Sequence, residues 1–282
     1  MPYPIPVPGP ERSPGRHGLL NAITTPAGVD VNRFGPGTSI VTDQDQCLAL
    51  SPLAMPCTAP QDLPEHALTQ TPPQPWRPFL VFGFDACSTM SGRTDDDIAA
   101  AARRNLIATA SHQAEREFFD GAATEGTGAE NPYLAGGDIV ATLVTAAATA
   151  PGTALALLDG ELTECLHGNR GMIHAHPTVV SLFFQYGGLQ VAGTQLLTPN
   201  DHIVVSGSGY SGDQPNGTAA AAGSSYAYGT PLVYGVRGEV DVPGGVVEHT
   251  DIEHNTTEAR ARQVIALWMA QCCRLAAQVS LA

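Results

Sequence analysis

His174 and His176 stand two residues apart at the end of a predicted strand, residues 171–175 (GMIHA). Neutral imidazoles so spaced lie on one face and could share a metal ion. The remaining histidines around and after them, His167, His202, His249 and His254, show no ligand spacing relative to this pair. The plainer role of His176 is to start the helix that Pro177 opens, so no metal is expected. Residues 207–212 read GSGYSG, formally a GxGxxG pattern. A dinucleotide site needs that pattern to open a helix. Here DQPNGTAAAAG follows, which is loop composition, so a glycine-rich surface loop and no cofactor are expected. Ser206, Ser208 and Ser211 sit outside any G-x-S-x-G elbow. His249, Asp251, Glu253 and His254 read as a polar loop. No nucleophile stands at a recognisable spacing from a base, so no catalytic residue is assigned.

All 13 basic residues are Arg and none is Lys. That removes Schiff-base chemistry, phosphate-loop lysines and lysine isopeptide crosslinks together. The six cysteines, Cys47, Cys57, Cys87, Cys165, Cys272 and Cys273, form no C-x-x-C, and adjacent Cys272 and Cys273 cannot easily bridge each other. Free thiols are the expectation for a cytosolic chain, with a Cys47–Cys57 disulfide as the alternative.

The 282 residues suffice for one large domain or two modest ones. Apolar residues make up 43% and charged residues 14%, which describes a globular chain. The net charge of −14 argues against a wholesale nucleic-acid binder, which needs a basic stripe. No apolar run is long enough to span a membrane. The opening MPYPIPVPGPERSPGRHG has neither the apolar core nor the cleavage site of a signal peptide, so a cytosolic origin is expected.

The elements that must position these residues follow from proline and periodicity. Sixteen of the 23 prolines lie in the first 80 residues, which read as an extended arm and a long loop. Apolar islands such as Leu19-Leu20 and Ile23 punctuate the arm and predict burial against a neighbouring subunit. Residues 38–42 (TSIVT) and 78–87 (PFLVFGFDAC) read as two strands of a projecting hairpin. Thr94 and three aspartates then open a long helix over 95–119, closed by Gly121, with Ala99, Leu106, Ile107, Ala110, Ala114 and Phe118 on its apolar face. An α/β alternation follows: helix 153–166, strand 171–175, a helix from Pro177, and strands at 202–206, 225–228 and 232–236. Residues 258–279 fit a helical stripe through Ala261, Val264, Ile265, Trp268 and Cys272, and equally fit buried strands.

This order of parts resembles the Hong Kong 97-type major capsid protein of tailed bacteriophages, as found in phages of actinobacteria. PFLVFGFDACS followed by an acid-capped helix ending in EREFFDG is similar to that family's strand-to-spine passage. GMIHAHPTVVSLFF, TPNDHIVVSGSGYSG and SSYAYGTPLVYG are similar to its axial domain, in the same order. The resemblance implies an α+β fold with an N-terminal arm at 1–37 and an extended loop (β-hairpin) at 38–86. It implies a peripheral domain at 87–136 with a spine helix at 95–119, an axial domain at 137–239, and a return to the peripheral domain at 240–282. The loop at 207–224 would then lie near the capsomer centre. Candidate contacts between subunits are Leu19, Leu20, Ile23, Trp76, Arg77, Arg103, Arg104 and Tyr210.

The implied function is a major head protein, not an enzyme, assembling into hexamers and pentamers that form an icosahedral shell around double-stranded DNA. Its partners would be itself, a portal protein at one vertex, and a separate scaffolding or decoration protein. It would be built in the bacterial host cytoplasm and end in the virion capsid. A chain without Lys cannot make the type member's Lys–Asn crosslink, and an arm that follows Met1 directly implies a scaffold encoded separately. The rival readings are an encapsulin-type nanocompartment shell, a soluble α/β enzyme with a metal site near His174/His176, and a tail-tube or decoration protein.

Overall fold

The computed structural model describes residues 15–26, 39–40, 74–88, 93–123, 131–137, 140–243, 249–251 and 256–282. Much of the predicted extended loop, with Cys47 and Cys57, lies outside them.

The long helix forms as its sequence dictates. α2 spans Asp95–Asp120, and Thr94 caps it in a capping box: its Oγ1 accepts from the Asp97 N–H, and the Asp97 carboxylate accepts from the Thr94 N–H. Asp95, Asp96 and Asp97 sit at the positive end of the helix dipole, and Gly121 stops it at φ 70°. The buried face runs through Ile98, Ala102, Leu106, Ala110, Ala114 and Phe118. Ile107, expected on that face, is 52% exposed.

Strand β1 (Phe79–Ser88) lies directly on this helix. A Cβ at Gly83 would sit 2.3 Å from the Ala102 carbonyl oxygen and 2.3 Å from the Leu106 nitrogen, so only glycine allows the approach. β1 pairs antiparallel with β10 (Thr256–Trp268) over ten residues, from Phe79 opposite Ile265 to Ser88 opposite Thr256. β8 (Tyr234–Arg237) and β9 (His249–Asp251) complete this four-stranded sheet.

The second sheet has seven strands in the order β2-β11-β7-β3-β6-β5-β4. They are β2 (Thr142–Leu143), β3 (Gly171–Ala175), β4 (Gln190–Ala192), β5 (Gln195–Leu197), β6 (Ile203–Ser206), β7 (Ser224–Pro231) and β11 (Leu275–Ser280). Helices α3 (Pro151–Cys165) and α4 (Pro177–Gln185) cover one face, meeting Ile173, Val204, Ala227 and Ala277. The other face, with Met172, Val205 and Tyr228, joins the core around α2. The central strands β3, β6 and β7 are buried on both faces, while β2 and β4 at the two ends of the sheet are exposed.

Residues 258–279, which fit helix and strand alike, form two strands: Thr257, Ala259 and Ala261 alternate inward, then Ile265, Ala266 and Leu267 are buried in succession. The described part of the arm packs in its own subunit. α1 (Leu19–Ala22) buries Leu19 and Leu20, the Ser206 N–H donates to the His17 carbonyl at 2.9 Å, and the Thr24 N–H donates to the Val233 carbonyl at 3.2 Å. Finally, Cys165 and Cys273, expected as free thiols, form a disulfide across 108 residues with Cα atoms 5.7 Å apart. Only the fold makes them neighbours.

Candidate functional site

His174, His176 and the glycines of 207–212 have structural occupations, whereas His249 and Asp251 lie in strand β9 rather than a loop, and Glu253 and His254 lie outside the described residues. His174 is fully buried on β3 with both ring nitrogens engaged. Thr230 Oγ1 donates to the Pro231 carbonyl, so at 2.9 Å it accepts from His174 Nε2–H, and Nδ1 accepts from the Tyr210 hydroxyl at 3.1 Å. No lone pair remains for a metal, and burial pushes the imidazole down to about 3. His176 starts α4, its Nδ1 accepting from the Thr178 N–H at 3.3 Å. Among the described residues, no three His, Cys, Asp or Glu side chains are grouped to hold a metal ion.

The glycine loop at 207–212 packs on helix α2. The Gly209 N–H donates to Glu115 Oε2 at 3.1 Å, and a Cβ there would meet the His112 carbonyl at 2.5 Å. Tyr210 is buried between His174 and Phe119. Glu115 also accepts from the Leu19 N–H at 3.0 Å and the Ser111 hydroxyl at 2.9 Å. One carboxylate therefore ties the arm, helix α2 and the 207–212 loop together. Desolvation raises its pKa, and the hydrogen bonds oppose that rise.

The predicted contact residues divide into two groups. Leu19, Leu20, Trp76 and Tyr210 are buried within this chain, which corrects their reading as contacts to a neighbour. Trp76 stacks on Phe118 with ring centroids 5.9 Å apart and donates Nε1–H to the Met269 carbonyl. Ile23 packs half-buried against Gly235, and the Arg77 backbone pairs with the Asn131 amide. Arg103 and Arg104 point outward from α2, and neither makes an ion pair with another described residue.

A surface that sequence reasoning did not single out lies on β1. Its face turned away from α2 exposes Leu80 by 41%, Phe82 by 51% and Phe84 by 50%. Opposite them on β10 stand Val264, Arg262 and Arg260. The alternation along β1 shows both faces to be apolar, which is the signal of a strand covered on both sides.

The solved capsid of an empty GTA particle matches this architecture over 98% of this chain and 95% of its own, with a TM-score of 0.51 at 12% identity. The chain has the Hong Kong 97-type capsid fold. Looser likenesses include Mycobacterium phage Ogopogo, at 10% identity over 87% of this chain and 94% of that one, TM-score 0.48. The holo-SrpI encapsulin complex from Synechococcus elongatus is similar at 11% identity over 74% and 77%, TM-score 0.46. No protein-family model matches the chain, and no curated protein matches it. Within this fold the long helix α2 lies against the paired strands β1 and β10. Among the described residues no helix is long and apolar enough to cross a membrane.

Proposed function

We propose that this chain is the major head protein of a tailed phage, a shell subunit that assembles into hexamers and pentamers around double-stranded DNA. The single observation behind this reading is the capsid fold, matched along nearly the whole chain. Residues 87–136 and 240–282 would form the peripheral domain and 137–239 the axial domain, with 1–37 as arm and 38–86 as extended loop. The uncovered Leu80, Phe82 and Phe84 strip supports the assembly reading, because a lone subunit gains nothing from leaving it in water. Ile23, Arg77, Arg103 and Arg104 remain candidate contacts. A portal protein and a separate scaffolding or decoration protein would be the other partners. With a charge of −14 per subunit, the shell would enclose DNA without gripping it.

Size exclusion with light scattering tests this reading on the full chain, alone and with a co-expressed scaffold. The expected result is a mass of many tens of copies or more. A single small species under both conditions overturns it. Nucleic acid inside the particles, rather than a protein cargo, separates a phage head from a nanocompartment.

A further inference from the structure

The turn between β10 and β11, residues 269–274, holds three distant parts of the chain. The Met269 carbonyl accepts from Trp76 Nε1–H at 3.2 Å. The Gln271 side-chain amide pairs with the Gln74 backbone: Oε1 accepts from the Gln74 N–H at 2.9 Å and Nε2 donates to its carbonyl. The Arg274 guanidinium donates to the Pro132 and Tyr133 carbonyls. Trp76 in turn exchanges two backbone hydrogen bonds with Ile40, at 2.7 and 2.8 Å, so both ends of the predicted extended loop meet at residues this turn grips. Within the turn, Cys273 has φ 53°, a left-handed conformation that a residue with a Cβ keeps only when its surroundings impose it. The bond to Cys165 at the end of α3 is one such constraint, and both cysteines are half-buried, within reach of small thiols.

We propose that the Cys165–Cys273 disulfide is a redox-controlled staple, open as two thiols when the subunit is made and closed afterwards, and that closing it fixes the base of the extended loop at Gln74 and Trp76. The timing rests on the reading of this chain as a phage shell protein made in a reducing cytoplasm. The closing step needs a low-molecular-weight disulfide. One cysteine thiolate attacks it and expels the first thiol. The second thiolate then attacks the mixed disulfide and expels the other. Two cysteine thiols and one small disulfide become one protein disulfide and two small thiols.

Hydrogen exchange on the purified, unassembled full chain tests this, before and after treatment with oxidised glutathione, beside a Cys165→Ser variant. That variant isolates this bond, since Cys272 is disulfide-bonded as well. Oxidation should protect the Cys165 and Cys273 thiols from alkylation and slow exchange at the Gln74 and Trp76 amides about tenfold. Cys165→Ser should stay fast and melt roughly 10 °C lower than the oxidised protein. Cys273→Gly, which accepts the left-handed turn without a sulfur, should also stay fast. Thiols that remain alkylatable after oxidation overturn the proposal, as does slow exchange at Gln74 and Trp76 in either variant. A failure of the shell reading shows separately, as absence of particles, and leaves these readouts intact.

Discussion

The side-chain amide of Gln113 pairs with the backbone of Phe82. Oε1 accepts from the Phe82 N–H at 2.9 Å, and Nε2 donates to the Phe82 carbonyl at 2.7 Å. Two turns earlier on α2, Asn105 Nδ2 donates to the Phe84 carbonyl at 2.9 Å. Among the described residues β1 is an edge strand, and an exposed edge recruits other chains by strand pairing. Helix α2 closes that edge with amide side chains. Gln113→Ala should cost about 1–2 kcal/mol, because water takes over part of the bonding at this exposed site. Urea unfolding reads the loss, and light scattering should show more aggregation. Unchanged values on both would mean that the pairing contributes nothing.

Gly83→Ala should be far more damaging. The new methyl would meet backbone atoms of Ala102 and Leu106 at 2.3 Å, and backbone cannot rotate away. Overpacking of this kind costs about 1–3 kcal/mol or more. Soluble yield and melting temperature should both fall, whereas Gly160→Ala, in open space inside α3, should keep the yield and raise the melting temperature by a few degrees.

Acid should weaken the subunit through its buried histidines. His174 is held neutral down to about 3 by burial, and burial likewise lowers His202. His202 Nδ1 accepts from the Gly171 N–H at 2.9 Å, so a second proton there would break that bond. Both groups bind protons more readily unfolded than folded. Their stabilising effect is therefore present above the unfolded histidine pKa and is lost as pH falls below it. His174 alone should remove about 1.4 kcal/mol per pH unit below roughly 6.5. Glu115 works the other way: its raised pKa means that protonation on acidification favours the folded form and offsets part of the loss. Urea midpoints from pH 7 to 4.5 should fall steadily in the natural chain and less steeply in His174→Gln. Equal slopes would contradict the assignment.

Substitutions on the two exposed surfaces should separate folding from assembly. Phe82→Ser with Phe84→Ser, and Arg103→Glu with Arg104→Glu, alter side chains that the subunit does not bury. Each pair should leave the melting temperature of isolated subunits within a few degrees, since exposed substitutions stay near 0.5 kcal/mol each. Particle yield should drop severalfold or more. Normal yield from either pair would remove that surface from the contact list.

The legible parts of the fold were those with local punctuation. Thr94, the three aspartates and Gly121 mark α2 to within one residue, and Pro177 opens α4, whereas α3 starts at Pro151, two residues before the expected start. β10 was ambiguous because its apolar residues satisfy both helical and strand periods, and only pairing with β1 decides between them. The cover over Leu19 and Leu20 is illegible for a related reason. Leu19 looks stranded in a proline-rich sequence until the carboxylate of Glu115, 96 residues on, takes its N–H. The glycines of 207–212 read as a surface loop, yet Gly209 is there for close approach to α2. In each case the deciding partner lies far along the chain, where local pattern carries no information.

Electron microscopy of the purified full chain, with a co-expressed scaffold where one is needed, tests the central claim most directly. Closed shells tens of nanometres across, built of five- and six-membered rings, are the predicted result. A uniform population of small particles without rings, with and without scaffold, would contradict it.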